Sequence, residues 1–195
     1  MHKLKAISPL GSTKPVVETF PGLSIAEATD RALASISVRS GQDAEFFGRA
    51  AVILGFDLPQ PGGAVAGAVF SAFWIGPDSW MIDADYKTHE RIAFDLKDVL
   101  QETASVVEQT DGWCRFDVTG NAACDLFERL CNVDIRAMKT NQATRCALHH
   151  IGCYIWCHTS GAEFSILGPR SSARSLHHAL TEAARTVTQA PQNTQ

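Results

Sequence analysis

The stretch Trp113–Val133, WCRFDVTGNAACDLFERLCNV, decides how the chain is read. Cys114, Phe116 and Val118 alternate with Trp113, Arg115 and Asp117. That is the period of a strand with one apolar face. Thr119-Gly120 ends it, and from about Asn121 the apolar residues Ala123, Leu126, Phe127 and Leu130 recur at helix spacing. The stretch Phe164–Ala184, FSILGPRSSARSLHHALTEAA, follows the same plan of strand, tight break and helix. Ser171 after Pro169 is the expected cap, and Ala173, Leu176, Leu180, Ala183, Ala184 and Val187 form the apolar stripe.

The upstream half has a similar order. Leu33, Ala34, Ile36 and Val38 interleave with Ser35 and Ser37 as a half-buried strand, and Leu23 to Ala28 forms a further strand before it. After Ser40-Gly41, the residues Phe46, Phe47, Ala50, Ala51 and Leu54 predict a helix closed by Gly55. A Gly/Pro-rich loop, LPQPGGAVAG, leads to two apolar runs around a Gly76-Pro77-Asp78-Ser79 turn. A helix from about Lys87 to Gln101 carries Ile92, Leu96, Val99 and Leu100 on one face. Val106-Val107 and Trp113 flank Asp111-Gly112, which reads as a two-residue hairpin turn. The expected fold class is therefore α+β. Each half, about 23–102 and 103–187, reads strands-helix-strands-helix, which predicts an internally duplicated domain with a pseudo-twofold arrangement. Residues 1–22, with Pro9, Pro15 and Pro21, read as an extended arm, and 188–195 as a loose tail.

Composition narrows the function. The 195 residues, 45% hydrophobic and 19% charged, suit one domain or two fused halves that need no staple. A net charge of −4 with no basic run argues against nucleic acid. No apolar stretch approaches the roughly 20 residues of a membrane span, and MHKLKAISPLGSTKP lacks a signal-peptide core. A soluble cytoplasmic protein is expected. Cys114, Cys124, Cys131, Cys146, Cys153 and Cys157 sit in apolar patterns and are expected to be reduced, buried thiols.

The chemistry-bearing residues do not assemble into a site by spacing. His149-His150, Cys153, Cys157 and His158 suggest a metal cluster, but on one strand Cys153 and Cys157 would stand about 13 Å apart. Cys124 and Cys131, two helical turns apart, read as core-facing residues. Of His177 and His178, one must approach the apolar stripe and the other face outward. Gly62-Gly63 and Gly67 make no dinucleotide loop. Gly168–Ser172 before a helix has the form of an anion site, but a capped helix entry explains it equally simply. No catalytic, cofactor-binding or metal-binding residue is assigned. The candidate partner interface comprises Trp113 and Arg115, on one strand face, and Arg170, Arg174 and His178, on or beside the last helix.

FDVTGNAACDLFERLCNVDIR resembles the strand-turn-helix signature of folate-binding aminomethyltransferase-like domains. More narrowly, FWIGPDSWMI, DLFERLCNVD, LHHIGC and ILGPRSSARSLHHAL resemble, in order, segments of the gamma subunit of heterotetrameric sarcosine oxidase. The resemblance spans about Leu33 to Ala184. It implies membership of an assembly with alpha, beta and delta subunits that oxidatively demethylates sarcosine. FAD, FMN, NAD and tetrahydrofolate would be held by the larger subunits and none by this chain. Related assemblies act on other N-methylated amino acids. An autonomous folate-dependent aminomethyl or formyl transferase is the alternative.

Overall fold

A computed structural model of the chain describes residues 5–189. The start of the expected arm (1–4) and most of the expected tail (190–195) lie outside the described residues. The described part is mixed α and β, with the strands in two sheets that cluster into two compact units.

The first unit contains residues 30–112 together with 141–144. Its elements are β3 (Arg31–Val38), α1 (Asp43–Leu54), β4 (Ala64–Ala66), β5 (Phe70–Gly76), β6 (Ser79–Asp85), α2 (Tyr86–His89), α3 (Ile92–Leu100) and β7 (Ala104–Glu108). The sheet order is β4-β5-β6-β3-β7, with antiparallel neighbours. Ala32, Ala34 and Ile36 of β3 share a core with Phe46, Ala50 and Leu54 of α1 and with Ile92, Leu96 and Leu100 of α3. Phe46 stacks on Trp80 at 5.8 Å, and the Trp80 indole donates to the Pro59 carbonyl at 2.8 Å. Gly55 closes α1 in a left-handed conformation, φ 78°, as expected.

The second unit contains residues 5–29, 113–140 and 145–189. It holds β1 (Val17–Phe20), β2 (Leu23–Ala28), β8 (Trp113–Thr119), α4 (Ala123–Leu130), β10 (Ile151–Thr159), β11 (Glu163–Pro169) and α5 (Ala173–Gln189), with β9 (Gln142–Leu148) at the sheet edge. The sheet order is β1-β2-β8-β11-β10-β9. Phe116, Val118, Phe164 and Ile166 face Leu126, Phe127, Leu176 and Leu180, and Phe127 meets Phe164 edge-on at 5.2 Å. Gly120 makes the β8–α4 connection at φ 130°, where a Cβ would stand 2.2 Å from the Gly22 carbonyl oxygen.

The duplication is visible in these orders. Reading β9-β10-β11-β8-β2 against β4-β5-β6-β3-β7 matches strand for strand, with α4 and α1 following the fourth strand of each set, β8 and β3. The expected boundary near 102/103 is corrected by one exchange. β2 pairs with β8, and β7 pairs with β3, so each sheet borrows a strand from the opposite side of that boundary. Asp111-Gly112 is consequently a link between sheets and not a hairpin. Gly112 lacks the left-handed φ that such a hairpin demands. The arm is also more structured than expected, since Val17–Phe20 pairs with Leu23–Ala26.

Smaller corrections have local causes. The helix expected over 87–101 breaks into α2 and α3, because the Asp85 side chain caps a separate first turn and Arg91 leaves helical dihedrals at φ −101°, ψ 31°. The last helix starts with a 3-10 turn, Arg170–Ser172, without a side-chain cap from Ser171. Cys131 stands just past α4 with extended dihedrals, so it is not a helical partner of Cys124. Phe47 of α1 is exposed.

Candidate functional site

The five residues singled out from sequence fall into two groups, both in the second unit. Trp113 and Arg115 lie on the face of β8 opposite Cys114, Phe116 and Val118, as the alternation required. The Trp113 ring approaches Tyr154 at 5.5 Å. The Arg115 side chain is 13% exposed and bonds Asp117 Oδ1 through Nε at 2.8 Å. Arg170, in the 3-10 turn, donates from Nη2 to the Ile7 carbonyl at 3.0 Å. The Arg174 guanidinium lies against Gly11, where a Cβ would come within 3.3 Å of Nη2. Arg174 and His178 are exposed one turn apart on α5.

What surrounds the first group has no local signature in the sequence. Register places Asp117 opposite Ser165 and Ser165 opposite Trp156 across β8, β11 and β10. The Ser165 hydroxyl, fully buried, donates to Asp117 Oδ1 at 2.6 Å and lies 2.6 Å from His158 Nε2. An ionised carboxylate only accepts, so the hydroxyl proton goes to Asp117 and His158 must donate from Nε2. The chain His158–Ser165–Asp117–Arg115 therefore has serine in its middle. A nucleophilic serine would instead surrender its proton to the imidazole. The network orders the sheet face and holds Arg115 in place; it has no poised nucleophile.

The second group was also incompletely foreseen. Glu27 is 4% exposed, yet its carboxylate accepts the Leu10 amide at 3.0 Å and the Val16 amide at 3.1 Å. Ser8 and Ser12 close a turn around Leu10, with the Ser8 amide donating to the Ser12 carbonyl at 2.7 Å. The arm is thus fastened at Glu27 and at Arg170. A lone acidic residue in a strand, LSIAEA, was the available signal, but its partners are up to 17 residues away.

The thiols divide by environment. Burial pushes Cys114 up to about 11 and Cys153 up to about 12, which leaves both protonated and unreactive at neutral pH. The Cys114 thiol donates to the Gly168 carbonyl at 3.4 Å. His177 turns inward toward Phe116, ring to ring 5.6 Å, and burial lowers its pKa. His178 turns outward, as the stripe required.

The geometry can be compared with what the implied cofactors need. Every described strand pairing is antiparallel, so the parallel strand-helix-strand crossover that presents a dinucleotide phosphate to a helix start is not built here. Glu27 is taken by two backbone amides, Asp117 by Ser165 and Arg115, and Asp83 by Arg31. Among the described residues no group of three or more His, Cys, Asp or Glu is placed to hold a metal ion. An open cleft of about 330 Å³ is lined by Pro21, Gly22, Asn121, Ala122 and Asp125, with Val187 and Thr188 of α5. It presents one carboxylate and no basic group. Among the described residues no helix is long and apolar enough to cross a membrane.

Comparison with known proteins bears on the fold. No protein-family model matches the chain, and no curated protein does. Among solved structures, a chain of the heterotetrameric sarcosine oxidase from Corynebacterium sp. U-96, in complex with pyrrole 2-carboxylate, superposes with a TM-score of 0.77. Identity is 22%, and the match covers 89% of this chain and 89% of that one. The glycine cleavage system aminomethyltransferase T from Bartonella henselae superposes with a TM-score of 0.59 at 14% identity, covering 82% of this chain and 48% of that one. At these identities the likeness establishes the fold, an α+β architecture of the aminomethyltransferase type.

Proposed function

We propose that this chain is a non-catalytic, gamma-type subunit of a heterotetrameric sarcosine oxidase. It supports an assembly that oxidatively demethylates sarcosine and passes the one-carbon unit to tetrahydrofolate. The observation that carries this reading is reciprocal coverage. The chain matches nearly the whole of a sarcosine oxidase chain of similar size, but only 48% of the glycine cleavage system aminomethyltransferase T. The site chemistry supports it. Serine is held as a relay, two thiols are kept protonated by burial, and the enclosed carboxylates are engaged by the chain's own donors. On this reading FAD, FMN, NAD and tetrahydrofolate reside in the alpha, beta and delta partners, in the cytoplasm. A subunit of a related N-methyl amino acid dehydrogenase would have the same properties.

Within that reading, Trp113, Arg170, Arg174 and His178 contribute to docking, and Arg115 supports Trp113 through the ordered sheet face. Arginine suits planar, bidentate pairing with a partner carboxylate. The test is co-expression with candidate flavin-binding subunits, comparing wild type with Arg174→Ala and Arg170→Ala. Copurification of wild type and its loss or weakening in Arg174→Ala is the expected result. Unimpaired assembly of both folded variants would remove these arginines from the interface. A second reading, in which the chain itself transfers an aminomethyl group on folate, is favoured by the likeness to aminomethyltransferase T. Folate binding and turnover by the isolated chain would select it.

A further inference from the structure

The imidazole of His177 is enclosed without being hydrogen-bonded at its far nitrogen. Its ring lies against Phe116, 5.6 Å between centroids, and Nε2 is shielded from water with no hydrogen-bond partner among the described residues. Helix α5 brings it there by packing against β1, β2 and β11. Register makes Glu27 the cross-strand neighbour of Phe116, and Glu27 shares the inner face of β2 with Leu23 and Ile25. The ring thus sits beside the strand position whose carboxylate accepts the Leu10 and Val16 amides. β1 closes this corner as the edge strand of the sheet, four residues long, with Glu18 and Phe20 turned inward. Val16 leads directly into β1, and its carbonyl accepts the Glu27 amide at 2.8 Å.

We propose that His177 is a pH-sensitive latch for the N-terminal arm: the neutral imidazole is the seated form, and its protonation releases β1 and the arm from α5. The inference does not depend on the subunit reading. A neutral imidazole can leave Nε2 as a bare nitrogen against an apolar wall at small cost. An imidazolium carries a proton on each nitrogen, and the one on Nε2 would face Phe116 with no acceptor. The charged ring reaches water only by leaving its seat. The short edge strand is the part of the wall that yields at least cost. Lifting β1 draws Val16 away from Glu27, and with it the fastening of the arm.

The groups around the ring set the direction of the switch. Burial opposes the charged form most; Glu18 of β1 and Glu27 of β2 favour it, and Arg185 and His178 of α5 oppose it. Strands β8 and β11 present apolar side chains, Phe116 and Ile166. The charged residues of α4, Asp125, Glu128 and Arg129, lie beside Val187, about 15 Å farther along α5. Arg170 and Arg174 reach instead to the arm, at Ile7 and Gly11. The seated ring therefore holds a proton less tightly than a solvated one, and acidification favours the open form. The latch is closed above about pH 6.5 and loosens as pH falls toward the lower value of the seated ring.

The test is hydrogen–deuterium exchange on the full chain, corrected for the intrinsic effect of pH on exchange. Between about pH 7.5 and about pH 5.5, protection of the Leu10 and Val16 amides should fall about fivefold in wild type, the factor expected when the open form titrates with an ordinary histidine pKa. In His177→Phe it should not change with pH, and His177→Gln takes its place if the phenylalanine variant does not fold. Amides in the middle of β8 and β11 should keep their protection throughout. In an NMR titration the His177 ring should protonate below the ordinary value of about 6.5. Arm protection that ignores pH in wild type, a ring that titrates at or above the ordinary value, or loss of β8 and β11 protection together with the arm would each overturn the latch. A fall that persists in His177→Phe would assign the effect to the Glu27 carboxyl and overturn it as well.

Discussion

Replacing Glu27 with Gln tests how the N-terminal arm is held, and the size of the effect follows from two contacts. One carboxylate oxygen accepts the Leu10 amide and the other accepts the Val16 amide, in a setting only 4% exposed. A hydrogen bond to an ionised group contributes about 1.5–3 kcal/mol, and a neutral one about 1 kcal/mol. Glutamine keeps one acceptor oxygen but turns an NH₂ group toward the other amide, so one bond is lost and the other weakened. The arm should open more easily by about 2 kcal/mol, roughly a 30-fold change in its opening equilibrium. Hydrogen–deuterium exchange reads this directly. The amides of Leu10 and Val16 should exchange about 30-fold faster in Glu27→Gln. Those of β8 and β11, in the middle of the sheet, should change little. The Arg170 bond to Ile7 should loosen with the arm, exposing the surface around Arg170 and Arg174. Equal exchange at Leu10 and Val16 in both proteins, or full exchange of both already in wild type, would show that Glu27 does not hold the arm.

Three further outcomes are expected. Ser165→Ala removes the donor to Asp117 and the acceptor for His158; it should cost about 1–2 kcal/mol in urea unfolding, and an unchanged midpoint would show that the network is not structural. His177 has its pKa lowered mainly by burial, with Glu18 and Glu27 acting in the opposite direction. The unfolded chain therefore takes up this proton first on acidification, and stability, complete above about pH 6.5, falls as pH drops through the folded value. Between about pH 7.5 and about pH 5.5, His177→Phe should lose less melting temperature than wild type, and parallel losses would contradict the assignment. Gly120→Ala should cost about 3 kcal/mol or more, lowering the melting temperature by about 10 °C, because its Cβ would meet the Gly22 carbonyl at 2.2 Å; a wild-type melting temperature would contradict the turn geometry.

Local pattern carried the elements well. The alternation from Trp113 to Val118 is the observed burial of β8, and the stripes of α4 and α5 are the observed core. Failures came where the answer lies in distant partners. Asp111-Gly112 looks like a hairpin turn, but β7 pairs with β3 and β8 with β2, strands far back along the chain, and pairing is decided by sheet burial more than by the turn. Ser165 sits in FSILG, a run buried on both faces, so nothing local marked it as polar and paired. Its meeting with Asp117 and His158 is set by register. Cys131 looked like a helical companion of Cys124 because heptad spacing continues through the helix end; the chain leaves the helix there, and the thiol donates to the Phe127 carbonyl at 3.5 Å. Nothing within LSIAEA marks Glu27 for burial, and only the arm that covers it explains why it is enclosed.

A supporting subunit of the kind proposed is needed for recovery of the complex and silent in its turnover. Candidate alpha, beta and delta subunits should be produced with and without this chain, and the recovered complex assayed for sarcosine oxidation per bound flavin. Omitting the chain should abolish or sharply reduce recovery of the complex. With the chain present, turnover per flavin should be the same for wild type and for folded Ser165→Ala and His158→Gln variants. Assembly that proceeds fully without the chain, or turnover by the isolated chain that those substitutions abolish, would rule out a supporting, non-catalytic subunit.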